Sequence, residues 1–158
     1  MQKSTKRTLT RTLCGIMTCA FCCTLGITTT LAAETVTWQQ DVSKAQTLAA
    51  KNERPMLVFV TSASCGYCTK MKRDSLSNQN VVSLINGSFV PLKLDAGRDD
   101  QMISRYRVDV YPTTIVVAPD GKVVDRIRGY VSARSFRDRL AKFVPRPAGQ
   151  SASAPAAR

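Results

Sequence analysis

The 158-residue chain contains no histidine. That absence removes imidazole general bases, imidazole proton shuttles and zinc sites with histidine ligands from the chemistry open to it. Acidic residues are scarce as well: 11 Asp and Glu face 23 Lys and Arg, for a formal net charge of +12. Aromatic residues make up only 6% of the chain, with one tryptophan, and the basic residues are dispersed rather than gathered in a stripe. The interleaved bases and aromatics of a nucleic-acid surface are therefore missing, and no nucleic-acid partner is expected. The surplus charge reads as a solvated surface suited to acidic partners or membrane headgroups.

The sequence also lacks an uninterrupted apolar run of the roughly 20 residues that a membrane-spanning helix needs. Its most apolar stretch lies near the start, where Lys3, Lys6, Arg7 and Arg11 precede the uncharged segment from Leu13 to Ile27, and Thr30-Leu31-Ala32-Ala33 then supplies small residues. This order is that of a secretory signal peptide over residues 1–33, cut after Ala32 or Ala33. An exported protein without stable membrane insertion after cleavage is expected. Removing the segment leaves 19 basic against 11 acidic residues, a balance of +8. At the other end, residues 145–158 hold Pro, Ala, Ser and Gly with almost nothing to bury, the composition of a disordered tail. Residues 34–144 are left for one domain with its own core.

Within that span, Val36-Thr37-Trp38 reads as a short edge strand. Asp41 to Lys51 reads as an amphipathic helix, because Val42, Ala45, Leu48 and Ala49 recur at helical spacing. After Pro55, Met56 to Val60 is continuously apolar, as in a strand buried on both faces. The residues from Cys68 to Lys72 favour helix. A second helical piece, capped by Ser77 or Asn78, carries Val81, Val82, Leu84 and Ile85 and is closed by Asn86-Gly87. Phe89 to Leu94 forms the next strand, and Asp99 to Tyr106 a short helix with acidic residues at its positive end. Two further strands, Thr113 to Ala118 and Val123 to Ile127, are joined by the turn Pro119-Asp120-Gly121-Lys122. The final helix, Ser132 to Phe143, sets Phe136, Leu140 and Phe143 on one face.

Of the six cysteines, Cys14, Cys19, Cys22 and Cys23 fall in the signal segment. The remaining two, Cys65 and Cys68, lie in "TSASCGYCTKMK", directly after the buried strand. A disulfide closing so short a loop restricts the unfolded chain very little, so the pair calls for a chemical rather than a structural account. At a helix start, unpaired backbone N–H groups and the positive end of the dipole stabilise a thiolate at Cys65. Cys68, one turn further in, is placed to attack a mixed disulfide formed there. The intervening Gly66 and Tyr67 tune the couple. Lys70 and Lys72 read as the wet face of the helix, and Met71 as core. A zinc site would need ligands that the mature chain lacks. A Cu(I) carrier using both cysteines, with Met56, Met71 and Met102 as thioethers, is the competing reading, and an inert pair is a third.

The strand-CGYC-helix order, the later "VYPTTIVV" and the closing hairpin plus helix together resemble the thioredoxin superfamily over about residues 50 to 143. The resemblance implies an α/β thioredoxin fold, a single domain with a central mixed β-sheet flanked by helices. It implies further that Pro112, between Tyr111 and Thr113, is a cis-proline facing the cysteines, and that the backbone of Tyr111 pairs with an extended substrate. Asp120-Gly121-Lys122 and Gly129 match as structural positions. One departure bears on mechanism: thioredoxin has a buried aspartate six residues before the first cysteine, where this chain has Phe59. The accompanying lysine on the next strand is also missing, with Pro91 at the approximate place. Cys68 would then pass its proton to water or substrate.

The expected function is an exported, periplasmic thiol–disulfide oxidoreductase that reduces or rearranges disulfides in cysteine-containing exported proteins. Its electrons would come from a membrane or periplasmic donor, and it would need no cofactor beyond the Cys65–Cys68 couple and no metal. An oxidase is less expected because no segment is long enough for the helical insertion of periplasmic oxidases. An isomerase is less expected for want of a dimerisation domain. The Cu(I) carrier and a non-catalytic thioredoxin-like adaptor stand as alternatives.

Overall fold

The apolar run after Pro55 forms strand β1, Met56–Thr61, and all six of its residues are buried. A strand so enclosed needs a neighbour on each side and a layer of helix on each face. The computed structural model describes residues 34–144. The expected signal peptide with its four cysteines, and the expected tail, lie outside the described residues. Strand β2, Val90–Asp95, runs parallel to β1 on one side, and β3, Thr113–Val117, runs antiparallel on the other. Strand β4, Val123–Arg128, lies outside β3, giving the order β2-β1-β3-β4 in a mixed sheet. The register sets Phe59 beside both Lys93 and Thr114.

Alternation along β1 sends Met56, Val58 and Val60 to one face and Leu57, Phe59 and Thr61 to the other. The first face is covered by helix α1, Val42–Lys51, through Ala45 and Ala49, and by α4, Asp100–Arg105, through Ile103. The second is covered by three helices: α2, Gly66–Asp74, through Met71; α3, Gln79–Ser88, through Val81, Val82 and Ile85; and α5, Ala133–Leu140, through Phe136 and Leu140. The expected fold, a mixed sheet between helical layers, is the one found.

Local departures have local causes. The edge strand expected at Val36–Trp38 is reduced to a single bridge one residue later, Gln39 with Leu92. Trp38 N–H turns back to the Val36 carbonyl at 3.1 Å, and its ring packs against Phe59 with centroids 5.7 Å apart. Helix α3 starts where Asn78 accepts from the Asn80 N–H at 3.1 Å, and it runs through Asn86-Gly87 rather than stopping there. Its final carbonyls do not need a left-handed glycine, because the Arg54 guanidinium donates to the carbonyls of Asn86 and Phe89 at 2.7 and 2.6 Å. The Asn86 side chain instead holds the entering segment, accepting from Thr37 N–H at 3.1 Å and donating to the Thr35 carbonyl at 2.8 Å. After α5 the chain tightens into a 3₁₀ turn, Ala141–Phe143. Phe143 therefore leaves the helical stripe and is only partly buried.

Candidate active site

Cys65 occupies the N-cap of α2, with extended backbone (φ −103°, ψ 102°). The helix begins at Gly66 rather than at Cys68, because the Cys65 carbonyl already accepts from the Cys68 and Thr69 N–H groups at 3.1 and 3.2 Å. The Cys65 sulfur does what a capping serine or aspartate oxygen does elsewhere, accepting from the Cys68 N–H at 3.0 Å. Cys65 and Cys68 are joined in a disulfide with Cα atoms 5.2 Å apart. Cys68 is fully buried while Cys65 is half-buried. Of the pair, Cys65 is thus the sulfur a large substrate can reach. Gly66 and Tyr67 are exposed, Tyr67 to 67%, and the space beside Gly66 is open.

Thr113 begins β3 across from Val60, near the end of β1 that leads into the cysteine loop, which brings residues 111–113 to the disulfide end of the sheet. The Tyr111–Pro112 peptide bond is cis. Pro112 is buried and its carbonyl accepts from the Gly129 N–H at 2.7 Å, while Tyr111 is half-buried. Thr113 Oγ1 donates to the Val110 carbonyl at 2.7 Å. Val110 and Tyr67 are large apolar side chains left exposed. The other two so exposed among the described residues, Val123 and Val124, lie on β4.

The charges nearby are largely paired. Lys70 Nζ is 2.7 Å from Asp74 and stands 4.9 Å from the centre of the Tyr130 ring. Its hydrogen bond to Asp74 raises its pKa, and the bonds from Lys70 and then Arg73 lower that of Asp74. Lys72 is exposed and lines a cleft of roughly 570 Å³ together with Trp38, Phe59, Leu76 and Lys93. Lys93 corrects the expectation about the missing lysine. Pro91 pairs with Leu57, whereas the residue across from Phe59 is Lys93, so a lysine does stand on the next strand. Its charge is met by Asp95, 3.3 Å away, rather than by a buried carboxylate.

Two residues passed over in the sequence share this face. Thr61 and Thr114 are 0% and 1% exposed, and neither hydroxyl has a hydrogen-bond partner. An unpaired buried hydroxyl costs roughly 1–3 kcal/mol. Thr61 shares the parity of Phe59 two residues along β1, whereas the place of Thr114 across from Phe59 follows only from the strand register. The methionines suggested for Cu(I) do not converge: Met56 and Met102 belong to the layer with α1 and α4, and Met71 to the layer with α2. Such an arrangement can do two-electron thiol–disulfide exchange, with one accessible sulfur and one sheltered partner.

The pattern of the thioredoxin-like domain family matches residues 42–144. Solved structures with the same fold include an oxidoreductase named DsbH, 16% identical, with a TM-score of 0.64 and coverage of 75% of this chain and 90% of that one. A thioredoxin from Thermus thermophilus is 25% identical, with a TM-score of 0.62 and coverage of 70% and 87%. A disulphide isomerase from Xylella fastidiosa Temecula1 is 28% identical, with a TM-score of 0.55 and coverage of 64% and 86%. Among curated proteins, an uncharacterized protein of Archaeoglobus fulgidus is 29% identical over 66 residues, 42% of this chain. The match spans about half, 52%, of that relative's length.

Proposed function

The chain belongs to the thioredoxin-like domain family, and on that premise we propose that it is an exported thiol–disulfide oxidoreductase that reduces or rearranges disulfides in other exported proteins. The observation that carries the proposal is the placement of the Cys65 sulfur: at the N-cap of α2, accepting from the Cys68 N–H at 3.0 Å. Electron density left on that sulfur when the disulfide opens sits at the positive end of the helix, which favours the thiolate.

The cycle follows from which sulfur is reachable. In the reduced protein, the Cys65 thiolate attacks one sulfur of a substrate disulfide; a Cys65–substrate S–S bond forms, the substrate S–S bond breaks, and the first substrate thiolate departs and takes up a proton. Cys68 loses its proton and attacks Cys65, which forms the Cys65–Cys68 disulfide and releases the second substrate thiolate, protonated in turn. Two electrons have passed from the dithiol to the substrate. A dithiol donor in the same compartment returns them, and a membrane or periplasmic reductase supplies that chemistry. Tyr67, Val110 and the backbone of Tyr111 offer the apolar and hydrogen-bonding surface against which an extended peptide lies.

The test is the reduction potential of the mature protein, residues 34–158, equilibrated with glutathione buffers, together with turnover on insulin. The expected outcome is a potential toward the roughly −270 mV end of this class, with insulin reduced. A potential near about −120 mV would reverse the direction of electron flow. Absence of any exchange would overturn the reading altogether.

A further inference from the structure

Among the described residues, four buried side-chain polar atoms lack a hydrogen-bond partner: Arg54 Nε, one nitrogen of Arg126, and the hydroxyls of Thr61 and Thr114. The arginines satisfy themselves through another nitrogen, Arg54 on the carbonyls of Asn86 and Phe89 and Arg126 on that of Tyr106. The threonines have no such second donor. Valine would fill the same volume without stranding a hydroxyl, so two stranded hydroxyls in one place need an account.

Both stand on the face of the sheet that α2 covers. Thr114 is the register partner of Phe59, and Thr61 lies two residues beyond Phe59, on the same side of β1. Helix α2 packs on this face through Met71, and Cys68, one turn earlier, is equally buried. While the disulfide is closed, the Cys68 sulfur is an uncharged, weak acceptor and asks little of its surroundings. Once it opens, a buried thiol or thiolate appears at Cys68 on α2, and Phe59, on the face of the sheet that Met71 packs against, has no polar atom to offer it. On this side of β2, Lys93 pairs with Asp95 at 3.3 Å, and Arg98 also reaches Asp95 at 3.2 Å.

We propose that Thr61 and Thr114 are positioning residues that donate hydrogen bonds to the Cys68 sulfur when the disulfide is open. This rests on the reading of Cys65–Cys68 as a working couple. Two electrons and two protons convert the disulfide to the dithiol, and the hydroxyls, unpartnered in the oxidised state, gain an acceptor only in the reduced one. They therefore favour the dithiol over the disulfide. In the resolving step they favour the Cys68 thiolate that attacks Cys65, while the proton leaves with the substrate thiolate.

The experiment compares the wild type with Thr61→Val, Thr114→Val and Thr61→Ser in glutathione buffers, and times the decay of a Cys65 mixed disulfide. Thr61→Val is expected to shift the equilibrium constant about tenfold toward the disulfide, roughly 30 mV. It is also expected to prolong the mixed disulfide several-fold and leave the oxidised protein no less heat-stable. Thr114→Val should act in the same direction, and Thr61→Ser should restore both readouts. A purely structural role would weaken both redox states alike and leave their ratio unmoved. Equilibria for both valine variants within twofold of a wild type that itself exchanges would overturn this inference alone. A wild type that does not exchange would instead overturn the function it rests on.

Discussion

The two layers around the sheet are built on different terms. The layer under α1 and α4 packs Met56, Val58, Val60, Leu92, Leu94 and Ile115 with apolar partners. The layer under α2, α3 and α5 is as large in its apolar content, with Phe59, Phe89 and Phe136 fully buried. Yet the hydroxyls of Thr61 and Thr114 are buried on its face of the sheet, Cys68 is buried one turn before Met71 on α2, and Lys93 stands at its margin. One layer holds the fold together; the other does so while leaving polar groups where a sulfur changes its charge. Stability and chemistry should therefore separate when the layers are perturbed one at a time.

The largest effect is expected at the sulfurs. Cys65→Ser should remove all turnover on insulin while the protein stays folded, since no other cysteine follows residue 33 except Cys68. Cys68→Ser should form a mixed disulfide with substrate through Cys65 and hold it, because the resolving sulfur is gone. Trapped complexes with Cys65→Ser instead, measured on non-reducing gels, would mean that the buried sulfur is the attacking one.

Next comes a matched pair across the sheet. Leu92→Ala and Phe59→Ala each empty a fully buried position, at a cost of about 2–5 and 3–5 kcal/mol respectively in urea unfolding. Only Phe59→Ala should also move the glutathione equilibrium, because Phe59 shares the core layer that α2 packs into through Met71. An equal shift from Leu92→Ala would show that the layers are energetically one body as far as the couple is concerned.

The closed layer was the more legible of the two in the sequence. Met56 to Val60 declares a doubly buried strand by being apolar without alternation, and Ala45 and Ala49 declare the contact face of α1 by their spacing. The cysteine pair was legible because its position after that strand has few other physical uses. What escaped were features that depend on register or on a distant side chain. Lys93 stands across from Phe59 only because β2 pairs where it does. Asn86-Gly87 looked like a stop, but Arg54, far back in the chain, supplies the donors that let α3 continue. Thr61 and Thr114 look like ordinary strand residues until burial and partners are known.

A smaller effect is expected where the site is braced from β4. Gly129 has φ 79° and donates to the Pro112 carbonyl at 2.7 Å. A Cβ there would meet no atom, but an L side chain at that φ costs about 1 kcal/mol. Gly129→Ala should lower stability by that amount in both redox states, so the glutathione equilibrium stays put. A shift in that equilibrium would place the β4–α5 loop within the working site.

The smallest effect belongs to the layer that holds α2, at a point away from the couple. Arg139 grips Asp125 through two nitrogens, each 2.7 Å from a carboxylate oxygen, and so ties α5 to β4. The Arg139 guanidinium holds the Asp125 carboxyl below its usual value, against the opposing effect of burial. A carboxyl whose pKa is depressed by folding adds stability above its unfolded pKa of about 3.9, and that stability is lost as pH falls through the folded value. With Arg139 partly in water, the contribution is about 0.5–1 kcal/mol. Arg139→Gln should thus be less stable than the wild type by that margin at pH 6, with the gap closing below about pH 4. A gap that persists unchanged into acid would assign the loss to the arginine stem and to its hydrogen bond to the Arg126 carbonyl at 3.1 Å rather than to the ion pair. In either case the couple should not feel it: a variant in the same layer that leaves the glutathione equilibrium untouched shows that sharing a layer with Cys68 is insufficient, and that its effect is confined to side chains facing the sulfur.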